Sequence, residues 1–142
     1  MPNTTPPGPH PSDPDAIAEV NAAVDRGLMA GDPEAVAALF GEDGVLSESG
    51  LADVVGRAAI RDFLAQANTV RTVTFHRLVR EELDLMGDRA IERGWCEETK
   101  AKPGEPPIRE RGRTVTYWRR VPPGVWRIAR IIASDLPAPA PS

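Results

Sequence analysis

The chain is poor in residues that build metal sites and disulfides. Its 142 residues include one cysteine, Cys96, and two histidines, His10 and His76. A single thiol forms no internal disulfide, and so few Cys and His ligands argue against a zinc site. No metal and no cofactor are expected, and a reducing cytoplasm is the expected location. Long apolar runs are missing as well. No stretch approaches the ~18 consecutive apolar residues of a membrane span, and the N-terminus lacks a basic region followed by an apolar one. Membrane association is therefore not expected. Apolar residues make up 41% and charged residues 27%, which excludes a wholly disordered chain and leaves room for one globular domain.

Proline is abundant, and its placement is informative. Six of the fifteen prolines fall in the first fourteen residues, and Pro137, Pro139 and Pro141 close the chain. Residues 1–14 and 137–142 therefore read as extended tails around a folded unit over 15–136. Charge is uneven too. Through Asn68 there are three basic and eleven acidic residues, and from Thr69 onward fourteen basic and ten acidic. Fifteen of the seventeen basic residues are arginine, which favours bidentate pairing with carboxylates. The arginines alternate with glutamates instead of clustering on one basic face, so nucleic-acid binding is not expected.

The period of the apolar residues changes along the chain. Ile17, Val20, Val24 and Leu28 recur at steps of three and four, predicting a helix over 15–30 that is capped by Asp13 or Asp15 and ended by Gly31. Asp32-Pro33-Glu34 opens a second helix that closes at Gly41, Val45-Leu46 reads as a brief strand, and Gly56-Arg57 opens a third helix. From Thr72 the repeat is two. Val73, Phe75, Val79, Leu83 and Leu85 predict one face of a long strand, Gly87-Asp88 a turn, and Arg89 to Lys102 the returning strand. Two more strands, Ile108 to Val121 and Val125 to Ala133, flank Pro122-Pro123-Gly124. Helices followed by long antiparallel strands give an α+β domain, with an acidic helical layer against an arginine-rich sheet.

Several short motifs occur in a telling order: Ala30-Gly31-Asp32 with Leu39-Phe40 and Asp43, Gly56-Arg57-Ala58-Ala59-Ile60, Gly87-Asp88-Arg89-Ala90-Ile91-Glu92-Arg93-Gly94, and Arg119 to Arg130. In this order the chain resembles the nuclear transport factor 2-like superfamily, and more closely its SnoaL-like branch of polyketide cyclases and ketosteroid isomerase relatives. The resemblance implies a cone, in which a curved antiparallel sheet wraps around three N-terminal helices and leaves an apolar pocket at the open end. It also implies a homodimer through the outer sheet face, and a small apolar or polyketide-like molecule as ligand. The family hosts cyclases, isomerases and dehydratases beside non-catalytic binders, so both an enzyme and a ligand-binding or structural dimer are open. Two departures count against ketosteroid isomerase activity. The acid that relatives carry directly after the position of Arg130 is absent, and the first helix has no tyrosine.

Acid-base chemistry in an apolar pocket requires a titratable group beside a donor to the developing oxyanion. On the strands, Glu92 as general base and Tyr117 as donor are the catalytic candidates. Trp95, Trp118, His76 and Arg130 are the candidates for ligand contact. Competing structural readings are a polar edge residue for His76, cross-strand ion pairing of Glu92 with Arg113 or Arg130, core or dimer packing for the tryptophans, and an inert half-buried thiol for Cys96. Strand parity groups these residues without saying which face lies inside.

Overall fold

The computed structural model describes residues 12–136. The two tails read from proline content lie outside these residues, except Ser12 to Pro14. Helix α1 (Asp13–Ala30) starts at Asp13, with Ser12 at its N-cap and Pro14 in its first turn. Asp13 does not cap the helix as expected. Its carboxylate is buried and accepts from Arg120 Nη1 at 3.3 Å and from Trp126 Nε1 at 3.1 Å, tying the helix start to the last hairpin of the sheet. Gly31 ends α1 at φ 65°, a conformation that glycine adopts without strain.

Asp32 caps α2 (Pro33–Ala37) by accepting from the Ala35 amide at 3.0 Å. This helix is shorter than the sequence implied. Phe40 already belongs to β1 (Phe40–Glu48), which pairs with the two-residue β2 (Val54–Val55) before α3 (Arg57–Asn68). Four long strands follow: β3 (Thr72–Met86), β4 (Arg89–Ala101), β5 (Ile108–Val121) and β6 (Val125–Asp135). They form one six-stranded sheet in the order β2-β1-β6-β5-β4-β3. The expected antiparallel sheet is in fact mixed, because β1 runs parallel to β6.

One face of this sheet carries the core. Thr114, Thr116, Trp118 and Arg120 on β5 and Ala90 and Glu92 on β4 are buried. They pack with Ile17, Val24, Val36, Phe40, Ile60, Leu64, Trp126 and Ile128, so the helices lie on that face. The odd-numbered apolar face read on β3 does not hold along its length. Bulges between Val73 and Phe75 and between Arg80 and Glu82 reverse the alternation twice. The inward set is therefore Val73, then His76, Leu78 and Arg80, then Leu83 and Leu85, while Phe75 turns outward and is exposed. Gly94 has a steric reason at the second reversal, where a Cβ would overlap the carbonyl oxygen of Val79.

Candidate functional site

The inward turn of β3 brings His76 under α1. His76 Nδ1 stands 2.8 Å from Asp25 Oδ1, and the second oxygen of Asp25 accepts from the Leu78 amide at 3.4 Å. Asp25 sits one turn after Asn21 on the helix flank that faces the sheet, so its carboxylate orients the ring from an element 51 residues away. On the adjacent strand, Cys96 lies on the same face as the imidazole, opposite Leu78, and Glu98 Oε2 lies 3.9 Å from Nε2. Burial alone would disfavour the imidazolium. The hydrogen bond to Asp25, the nearby Cys96 and the charges of Asp25 and Glu98 outweigh that effect, raising His76 from 6.5 to about 9.

His76 lines an apolar cavity of about 100 Å³ whose other walls include Leu28, Phe40, Ile60, Leu78 and Ile131. Among the described residues, the polar groups that enter this cavity are His76, Cys96, Thr114 and Glu48. Glu48 comes from β1, while His76 comes from β3, which lies four places away in the sheet. That both reach one cavity reflects the curvature of the sheet around the helices. Burial, and then the nearby charge of Glu98, push the Glu48 carboxyl above its ordinary value. Leu28, Glu48, Leu64, Cys96 and Ala133 also line a more polar mouth of about 200 Å³, where Arg71, Glu98, Lys100, Glu110 and Asp135 gather.

The six residues singled out from sequence scatter. His76 alone faces the cavity. Glu92 is buried but committed: its carboxylate accepts from Asn21 Nδ2 at 2.8 Å and Trp118 Nε1 at 3.2 Å, and pairs with Arg80. Its partner is thus Arg80 on β3, not Arg113 or Arg130. Trp118 is a core residue that lies over that carboxylate, at 2% exposure. Tyr117 lies on the outer sheet face, 39% exposed, because its neighbours Thr116 and Trp118 take the inner one. Trp95 is also outward, held between the guanidinium groups of Arg77 and Arg111 at 5.5 and 5.1 Å. Arg130 likewise stays outside, donating to Ser47 Oγ at 3.0 Å and to Asp53 Oδ2 at 3.1 Å.

Sequence reasoning missed Asp25 and Glu48. The signal for Asp25 was an Asn21–Asp25 pair at helical spacing beside the apolar stripe, where two polar groups face inward and need partners. Glu48 carried no such signal, since β1 read as two residues only. Among the described residues, no three His, Cys, Asp or Glu side chains converge to hold a metal ion, and no helix is long and apolar enough to cross a membrane.

Comparison with known proteins places the family and the fold. Residues 10–132 match the family model of the SnoaL-like domain. No curated protein matches the sequence. Among solved structures, the chain is similar to a ketosteroid isomerase-like protein from Erwinia carotovora atroseptica SCRI1043, with 19% identity, TM-score 0.79 and coverage of 93% of this chain and 100% of the other. It is similar to an NTF2-like protein with a cystatin-like fold from Novosphingobium aromaticivorans, at 26% identity, TM-score 0.77 and 91% and 85% coverage. A conserved protein from Planctomyces limnophilus superposes with TM-score 0.81 at 18% identity, over 89% and 98% of the two chains.

Proposed function

The chain belongs to the SnoaL-like domain family, and from that premise we propose that it binds a small, largely apolar carbonyl compound beside His76 and acts on it by cofactor-independent acid-base chemistry. The observation that carries this reading is the convergence of an oriented, proton-holding imidazole and a solvent-reachable carboxylate at the rim of one apolar cavity. Groups whose environments hold the proton differently take the acid and base roles. His76, protonated at neutral pH, donates to a carbonyl oxygen or to a departing hydroxyl. Glu48 takes the proton from the carbon next to the carbonyl, and the Thr114 hydroxyl helps to orient the oxygen. The reaction class is elimination or isomerisation, of the dehydratase or isomerase type.

Size narrows the ligand. A cavity of about 100 Å³ matches the liquid volume of about three water molecules, so it holds the reacting end of a ligand. The rest lies in the mouth, where Arg71, Lys100 and Glu98 meet polar substituents. A polyketide-like compound, with oxygen groups spaced along an apolar skeleton, fits both parts. The test is a panel of small β-hydroxy ketones, followed by the ultraviolet absorbance of the enone formed. His76→Gln is expected to lower turnover at least about a hundredfold, and turnover equal to wild type in that variant refutes the role. The small cavity also favours a second reading, ligand binding without turnover, which predicts saturable binding of the same compounds and no enone.

The outer sheet face supports a homodimer. Val79, Ile91, Trp95, Val115, Tyr117 and Ile132 set half-exposed apolar surface there, the kind of surface that a partner copy can cover. Light scattering should give twice the 15.3 kDa chain mass, and a single-chain mass at micromolar protein refutes it. The unpaired Cys96 fits a reducing compartment, the cytoplasm.

A further inference from the structure

Cys96 read as an inert thiol because nothing near it in sequence could activate it. The sheet supplies what the sequence does not. Cys96 is half-buried on the inner face of β4 and lines both the cavity and its mouth. It stands opposite Leu78 on the adjacent strand, two residues along from His76 on the same face and in the same cavity, and His76 is oriented by Asp25 at 2.8 Å. Nucleophile, proton carrier and orienting carboxylate thus follow one another in the order that activates a thiol or hydroxyl elsewhere. Across the sheet, Cys96 pairs with Gly112, where an added Cβ would stand 3.2 Å from the sulfur. The opposing strand therefore leaves the sulfur free of a side chain on the side that opens into the mouth.

We propose that Cys96 is a nucleophile that adds to small α,β-unsaturated carbonyl compounds entering the cavity. In the step, a bond forms between Sγ and the β-carbon while the carbon–carbon π bond breaks, its electron pair moving onto the carbonyl oxygen. The thiol proton leaves to solvent before the attack, and the His76 imidazolium gives a proton to the α-carbon and takes one back from solvent, so the net change is addition of S–H across the double bond. No oxidant, reductant or co-reactant is required. Enones are also the products of β-hydroxy ketone dehydration, so the same cavity would meet them. The inference requires the His76 cavity to admit a ligand, as the preceding reading does, but it requires no turnover there.

The experiment uses the full chain and methyl vinyl ketone, with adduct formation followed by intact mass spectrometry. Cys96 is the only cysteine, so peptide mapping assigns the thiol adduct without ambiguity, and Cys96→Ser should give none. The folded protein is expected to react at least about tenfold faster than the same chain unfolded in guanidinium. His76→Gln should bring the rate back to that of the unfolded chain, and Gly112→Ala should slow it by crowding the sulfur. Circular dichroism confirms folding of each variant, and Asp25→Asn carries the comparison if His76→Gln does not fold. A folded chain that reacts no faster than the unfolded one, or a wild-type rate in the folded His76 and Asp25 variants, overturns the proposal. Rapid addition without dehydration of β-hydroxy ketones supports it and refutes only the acid-base reading. Dehydration with an unreactive Cys96 does the reverse.

Discussion

Asp25→Asn removes the charge beside His76 Nδ1 while leaving an oxygen that can accept a hydrogen bond. In the wild-type protein His76 is raised from 6.5 to about 9, a gap of about 3 kcal/mol at roughly 1.4 kcal/mol per unit. A raised value means that the folded state holds this proton more tightly than the unfolded chain does. The stabilisation is therefore complete below pH 6.5, declines between 6.5 and about 9, and is gone above that. Asp25 contributes both a hydrogen bond and a charge, while Cys96 and Glu98 remain in the variant. The substitution should thus cost about 1–2 kcal/mol at pH 6, and the difference from wild type should shrink steadily towards pH 9. Urea unfolding at several pH values between these limits measures the difference, and a proton NMR titration of the His76 ring checks its cause. A cost that does not vary with pH, or an unchanged His76 titration, would refute the reasoning.

Three further outcomes follow from contacts in the same core. The folded state holds the Glu48 proton more tightly than the unfolded chain does, so that contribution to stability is present below its ordinary value of 4.5 and is lost as pH rises through the raised one; at pH 7, Glu48→Gln should leave the melting temperature unchanged or slightly raised while abolishing turnover, and a clearly lowered melting temperature would contradict this. Glu92→Gln should cost about 2–4 kcal/mol, because it leaves the Arg80 guanidinium facing a neutral partner at a mostly buried site; turnover per folded molecule should not change, and a selective loss of turnover would return Glu92 to the site. Gly94→Ala should cost more than about 3 kcal/mol, because its Cβ would meet the Val79 backbone and not a yielding side chain; a melting curve like that of wild type would contradict this.

Strand boundaries were readable where turn chemistry is local. Gly87-Asp88 and Pro122-Pro123-Gly124 mark the hairpins between β3 and β4 and between β5 and β6, and the structure turns there. The long antiparallel run and the three helices follow from the change of period. What the sequence hides is parity. Nothing local marks the bulges that turn His76 inward, and a strict two-residue repeat assigns Phe75 to the core and His76 to the edge. β1 is hidden for a related reason: Gly41 and Gly44 interrupt its apolar pattern, and its register shifts between Phe40 and Val45. The site is harder still to read, because it is assembled from α1, β1, β3 and β4. His76 was visible as a residue, but its meaning depends on Asp25, which no motif around it contains.

The central claim is that His76, by donating to the carbonyl oxygen, lets Glu48 take a proton from the neighbouring carbon in this cavity, and solvent deuterium exchange tests it without knowledge of the natural substrate. Small ketones are incubated with the protein in heavy water, and loss of the proton signal on the carbon next to the carbonyl is followed by NMR. The account predicts exchange above the buffer rate in the wild-type protein and a fall of at least about a hundredfold in folded His76→Gln. Exchange at the wild-type rate in that variant, or no exchange above buffer in the wild-type protein, would contradict it.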